Sequence, residues 1–145
     1  MIETPRPIIL VDLDSVVYDW VHIAATIMYE VGVTDLHPRE LLDLYRSWEV
    51  WEDWGIEKGA FFYWWKRAIE KGDMYGKGKD IDGARNGLWA LSDAEWHIHI
   101  VTNRLNMFGL HNETVVNTAD WLSMAGIPYR SLSFTEDKHL IYGER

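Results

Sequence analysis

Two aspartates one residue apart, Asp12 and Asp14 in Val-Asp-Leu-Asp-Ser-Val-Val, are the residues of this chain best suited to chemistry. One carboxylate of such a pair can attack an electrophile. The other can give a proton to the departing oxygen and later take one from water. Carboxylates are also hard oxygen ligands of the kind that hold Mg²⁺. Further along come Thr102, Asn103 and Arg104, and beyond them Lys138. A hydroxyl, an amide and cations stabilise charge on phosphoryl oxygens, so together these residue types are what phosphoryl transfer needs. The bland alternative for the aspartates alone is a pair of solvated strand-end carboxylates. Arg104 divides between a phosphate or leaving-group contact and a solvated loop arginine.

These groups can work together only if the fold gathers them. Residues 7–11, Pro-Ile-Ile-Leu-Val, are a short continuous apolar run, the pattern of a strand buried on both faces of a parallel sheet. Residues 19–31 follow helical spacing, with Val21, Ala24, Ala25, Met28 and Val31 on one face and Gly32 as the C′ residue. A second helix starts near Pro38 with Leu41, Leu42 and Tyr45 inward, and 60–70 reads as a third. Residues 72–79 form a glycine-rich loop. It is not a Walker phosphate loop, because Asp80 rather than Ser or Thr follows Lys79. Asp82 is positioned to cap a helix carrying Leu88 and Leu91. Residues 96–101 read as a strand, 113–125 as a helix with Val115, Ala119 and Leu122 inward, and 131–135 as a third strand.

That order predicts an α/β fold with a Rossmann-like parallel sheet core and an inserted helical cap. The core comprises 1–17 and 77–145, and the cap 18–76. In open α/β sheets ligands lie beyond the carboxyl ends of the strands. Asp12 and Asp14, then Thr102 to Arg104, then Lys138, follow the three predicted strands in turn.

Here the motifs reach a resemblance. Asp-Leu-Asp-Ser-Val-Val from Asp12 resembles the first motif of the haloacid dehalogenase-like phosphatases, Val101-Thr102-Asn103 their second, and Lys138 their third. The longer run from Asp12 to Trp20, and Phe134-Thr-Glu-Asp-Lys138, are similar to the 5′(3′)-deoxyribonucleotidase branch. The resemblance implies Asp12 as nucleophile and Asp14 as general acid and base. It further implies Mg²⁺ on the Asp12 carboxylate and the Asp14 backbone carbonyl, and the phosphate on Thr102, Asn103 and Lys138. The implied substrate is a nucleoside monophosphate, hydrolysed in nucleotide metabolism. Asp19 matches a family position with no chemistry assigned to it, and Ser15 stands where a glycine or acidic residue is common. The family's fourth motif, an acidic pair about eleven residues beyond the lysine, would fall past Arg145, and Glu144 is a poor substitute. The core therefore reads as incomplete at its C-terminal side, with a partner polypeptide or a homodimer as ways to complete it. Other readings are a phosphatase of another small ester or of a polynucleotide 3′-phosphate, and a non-catalytic fragment or binding module on the same fold.

Nine of the 145 residues are tryptophan, and five of these (Trp48, Trp51, Trp54, Trp64 and Trp65) lie between 48 and 65 beside Phe61, Phe62 and Tyr63. Spacing by three suggests that Trp48, Trp51 and Trp54 form the cap's own core. One or two aromatics among Phe61, Phe62, Trp64 and Trp65 are expected to stack on a base. His97 and His99 alternate on a predicted strand and read as satisfied histidines rather than a metal pair. A net charge of −9 disfavours non-specific nucleic-acid binding. The absence of cysteine excludes disulfides, zinc ribbons and thiol nucleophiles. Lacking a long apolar run or a signal peptide, the sequence reads as cytoplasmic, with no membrane contact.

Overall fold

A computed structural model of the chain describes residues 5–104 and 107–135. Lys138 and Glu144 lie outside the described residues. Three parallel strands form one sheet in the order β1-β2-β3: β1 (Ile8–Asp12), β2 (His97–Thr102) and β3 (Ser131–Phe134). In register, Asp12 faces Val101 and Thr102 faces Phe134, so the first and second motifs end at the same edge of the sheet. The central strand is the most deeply buried, with Ile98, Ile100, Val101 and Thr102 at 2% exposure or less.

Between β1 and β2 the chain is helical: α1 (Trp20–Glu30), α2 (Pro38–Leu44), α3 (Val50–Asp53), α4 (Lys58–Glu70), the one-turn α5 (Asp73–Gly76) and α6 (Ala84–Asp93). α1 packs against α2, α4 and α5. That surrounds it, and residues as far round the helix as Trp20, Val21, Ile23 and Ala24 are all buried. Asp19 caps it, its carboxylate accepting the His22 N–H, and Gly32 follows its end at a φ of +82°. The chain leaves and re-enters the sheet region through one narrow neck. The Asp19 N–H donates to the Lys79 carbonyl and the Ile81 N–H to that of Val17, so residues 17–19 and 79–81 pair antiparallel.

Three local expectations differ from what is observed. Asp82 does not cap α6; Gly83 stands at the N-cap with φ +84° and no side-chain bond. The buried face of α7 (His111–Met124) is Thr114, Thr118, Trp121 and Leu122, whereas Val115 and Ala119 are only half-buried. A purely apolar pattern misplaces that face, because two threonines sit at its centre. The residues read as a glycine-rich loop contain α5, with Met74 and Tyr75 buried.

Candidate active site

Asp12 ends β1 with its side chain exposed and its Oδ1 accepting the Leu13 N–H at 2.8 Å. The chain then turns tightly: the Leu13 carbonyl accepts the N–H groups of Val16, Val17 and Tyr18. Ser15 takes a φ of +66°, left-handed backbone that disfavours an L side chain by about 1–2 kcal/mol and that a glycine would adopt at less cost.

Beyond the turn, Asp14 meets Arg104 from the loop after β2. Arg104 donates from Nη2 to Oδ1 at 2.6 Å and from Nε to Oδ1 and Oδ2 at 3.2 and 3.1 Å. The Arg104 side chain is 1% exposed and that of Asp14 31%. The cation is enclosed on its other sides as well. Nη1 donates to Thr118 Oγ1 on α7 at 3.0 Å, and the guanidinium carbon lies 4.4 Å from the Tyr18 ring centroid and 4.2 Å from that of Tyr75. Two aromatic faces on a desolvated guanidinium are each worth up to about 2 kcal/mol.

Those two rings are themselves fixed. The Tyr18 hydroxyl donates to the Met74 carbonyl and accepts the Gly78 N–H at 2.9 Å, while its ring meets Trp121 edge-on at 4.7 Å. Trp121 in turn donates to the Gly78 carbonyl at 2.8 Å. A Cβ on residue 78 would fall 2.3 Å from the Tyr18 ring, so only glycine allows this approach. Burial pushes the phenol pKa of Tyr18 well above its ordinary value and that of Tyr75 up to about 12, with Arg104 pulling both back. The Trp65 indole N–H lies near enough to Tyr75 to favour its anion slightly, yet it is buried without a well-formed hydrogen bond.

Asp12, Asp14, Asn103 and Arg104 share a cavity of about 240 Å³ with Trp20, Trp48, Trp65, Met74 and Tyr75. Carboxylates, an amide and a guanidinium thus share one cavity with large aromatic side chains.

The sequence of this chain matches, over residues 6–144, the family described as 5′ nucleotidase, deoxy (pyrimidine), cytosolic type C. The chain belongs to that family. It is 33% identical over 135 residues to the "Putative 5'(3')-deoxyribonucleotidase" of Chlorobaculum tepidum, a match covering 90% of this chain and 63% of the relative. This chain therefore spans less than two thirds of that protein's length. The crystal structure of a hydrolase from Streptococcus pneumoniae TIGR4 superposes with a TM-score of 0.59 at 12% identity, over 97% of this chain and 70% of that one, and shows the fold. The α/β class and the resemblance read from the three motifs are borne out.

Of the residues expected at this nucleotidase-family site, Asp12, Asp14, Asn103, Arg104 and Trp65 line the cavity. Thr102 stands at the same sheet edge but is fully buried, its Oγ1 accepting the Arg104 N–H at 3.2 Å. Lys138 lies outside the described residues. Arg104 is not a solvated loop arginine; its charge is buried and paired.

The aromatic assignments need correction. Phe61 is fully buried, with Trp51, Trp54, Phe62 and Trp65 around it at centroid distances of 5.3–6.3 Å, so it belongs to the core. Trp64 lies 100° round α4 from Trp65 and packs on Tyr63 instead of lining the cavity. Trp54 is core and donates from Nε1 to the Leu41 carbonyl, whereas Trp48 is 82% exposed and lines the cavity. Tyr18, Trp20, Tyr75 and Thr118 were not anticipated. An aromatic four residues after the second aspartate and a Thr114/Thr118 pair on an otherwise apolar face were the available signals. His99 pairs with Ser131, and His97 with Arg130, in agreement with satisfied histidines.

Proposed function

We propose that this protein hydrolyses the phosphomonoester of (deoxy)nucleoside monophosphates with the help of Mg²⁺, through an aspartyl-phosphate on Asp12. The observation that carries the reading is one cavity lined by the Asp12 and Asp14 carboxylates together with Trp20, Trp48 and Trp65. In the first half-reaction an Asp12 oxygen bonds to phosphorus while the ester P–O bond breaks, and Asp14 gives its proton to the departing nucleoside oxygen. In the second, water adds to phosphorus, its proton passes to Asp14, and the bond to Asp12 breaks. Asn103, exposed at the cavity wall, is placed to donate to the phosphoryl oxygens, and Thr102 and Lys138 complete that set in the same reading.

Among the described residues no three His, Asp or Glu side chains cluster. Mg²⁺ does not require such a cage, since it keeps several waters and binds through one or two carboxylates plus substrate phosphate. The donors at the end of β1 fit that habit. The Asp12 carboxylate and the Asp14 backbone carbonyl would hold the ion, which supplies charge neutralisation between the nucleophile and an anionic phosphate.

The helical segment 18–76 is proposed as a cap over the site, excluding water and offering the tryptophans to the base. Among the described residues no helix is long and apolar enough to cross a membrane. A cytoplasmic location belongs to the same proposal.

The test is phosphate release from deoxy- and ribonucleoside monophosphates, with and without Mg²⁺, against sugar phosphates and 3′-phosphorylated oligonucleotides. Mg²⁺-dependent release favouring mononucleotides, and abolished by chelation, is expected. Release that persists in Asp12→Asn would overturn the reading.

A further inference from the structure

We propose that Arg104 is a positioning residue for Asp14, fixing its carboxylate at the cavity wall and leaving Oδ2 as the oxygen that exchanges a proton. The inference rests on the reading of Asp14 as general acid and adds to it the group that aims it. Exposure first identifies which member of the pair is fixed: the Arg104 side chain is 1% exposed and Asp14 31%, so the carboxylate faces the cavity from an immobile cation. The guanidinium lies over two rings, Tyr18 at 4.4 Å and Tyr75 at 4.2 Å, and Nη1 is tied to Thr118 at 3.0 Å. Swinging Arg104 toward a substrate would break all three contacts. If Asp14 swung away instead, the buried Nε and Nη2 groups would lose their hydrogen-bond acceptor, which is costly away from water. Each group therefore holds the other in one pose.

The fork is also asymmetric. Oδ1 accepts Nη2 at 2.6 Å and Nε at 3.2 Å, whereas Oδ2 accepts only the Nε contact at 3.1 Å. A carboxylate oxygen has two lone-pair sites. Oδ1 takes the short Nη2 bond and part of the single shared Nε hydrogen, whereas Oδ2 takes only its share of the Nε hydrogen and keeps a site for a proton. That proton goes to the leaving oxygen as the ester P–O bond breaks and Asp12 bonds to phosphorus, so a displaced Oδ2 would slow substrates whose leaving group must be protonated. A phosphate-ligand role for Arg104 is disfavoured, because its Nε and Nη2 edge is already committed to Asp14.

The experiment compares kcat/KM for a nucleoside 5′-monophosphate with that for p-nitrophenyl phosphate, whose leaving group needs no proton. This ratio covers events only up to release of the alcohol, so hydrolysis of the phospho-enzyme does not blur it. Asp14→Asn is expected to lower the nucleotide value by about 10²–10⁴-fold and the aryl ester far less. Arg104→Met should lower the nucleotide value on the order of 10²-fold through misplacement, again sparing the aryl ester. Arg104→Lys, which restores charge without the planar fork, should recover only part of that loss. Thr118→Val keeps Arg104 and its buried volume but removes one anchor. It should show the same selectivity at a few-fold size, and it gives the answer if Arg104→Met does not fold.

Equal losses on both substrates in the Arg104 and Thr118 variants would overturn the positioning role, as would a change confined to KM. If Asp14→Asn discriminates between the substrates and these variants do not, positioning alone fails. If Asp14→Asn does not discriminate, or the unaltered protein releases no phosphate from either ester, the acid assignment fails and takes this inference with it.

Discussion

Two groups of residues lining the cavity are built to opposite standards. Around Asp14 every group in the line from Gly78 through Tyr18 and Arg104 to Asp14 touches the next, by hydrogen bond, ring contact or ion pair, and Arg104 is also gripped by Tyr75 and Thr118. Among the tryptophans packing grades off toward solvent. Trp65 stacks on Phe62 at 5.9 Å and on Trp20 at 6.0 Å, and Trp48 stands 82% exposed on a loop. Proton transfer tolerates little misplacement, because reacting atoms must sit within hydrogen-bond reach. A base stacked on an indole tolerates more, since any base presents a π-face. The contrast teaches that rigidity here follows chemical demand: the wall that would move protons is cross-braced, and the rim that would hold the nucleoside is not.

The largest effect that could break this division is loss of the proposed nucleophile. Asp12→Asn is expected to lower phosphate release on the order of 10⁴-fold or more while leaving the thermal unfolding midpoint nearly unchanged, since the Asp12 side chain is exposed. Phosphate assay and melting curve on the same sample check both halves. Next in size is Trp54→Ala, which removes a side chain 3% exposed together with its bond to the Leu41 carbonyl. It should cost about 3–5 kcal/mol of stability in urea unfolding while leaving KM intact at temperatures where the variant is folded. A raised KM with unchanged stability would place Trp54 at the rim instead.

Trp54 also marks how far the sequence could be read. Strand order, helix order and the two aspartates were legible because apolar period and motif spacing carry them locally. The sheet edge that joins Asp12 with Thr102 and Asn103 follows from parallel pairing alone. The three tryptophans spaced by three were not separable, because Trp48 lies on the loop between α2 and α3, where helical spacing has no meaning. Arg104 was ambiguous for another reason. What buries it comes from three distant stretches, around Asp14 and Tyr18, Tyr75 and Thr118, and no spacing rule links a residue to partners 14 to 90 positions away. The threonine at the centre of the buried face of α7 was hidden for the same reason, since its value lies in an anchor for a cation rather than in apolarity.

A smaller effect probes the braced group by pH. Tyr75 holds its proton up to about pH 12 in the folded chain, against an ordinary phenol value of 10.0, because burial disfavours the phenolate. The folded state binds that proton more tightly, so the contribution is complete below pH 10 and is lost as pH rises from there through about 12. The size expected is ~2–3 kcal/mol. Tyr18 shifts in the same direction, again mainly through burial. Urea midpoints from pH 9 to 12 should therefore fall more steeply for the unaltered protein than for Tyr75→Phe, which keeps a ring over Arg104 but has no proton to lose. Parallel pH profiles would mean that Tyr75 is solvated and the wall looser than its geometry indicates.

The smallest expected change in the fold, and the sharpest test of the rim, is Trp48→Ala. The loop that carries Trp48 is held by Asp53, whose carboxylate accepts the backbone N–H groups of Arg46 and Ser47 at 2.8 Å each and the Ser47 hydroxyl at 3.2 Å. Those bonds do not involve the indole, so removing it should leave stability within about 0.5 kcal/mol. Losing one stacking contact is worth ~1–3 kcal/mol of nucleotide binding, which corresponds to a KM raised about 5- to 150-fold with kcat little changed. The aryl phosphate, which has no base, should be nearly indifferent to the substitution. Arg104→Met and Trp48→Ala both spare the aryl ester and are told apart by parameter, the first lowering kcat for the nucleotide and the second raising its KM. If instead Trp48→Ala lowered kcat/KM equally for both esters, the exposed tryptophan would be acting on closure over the phosphate, and recognition would have to reside in Trp20 and Trp65 alone.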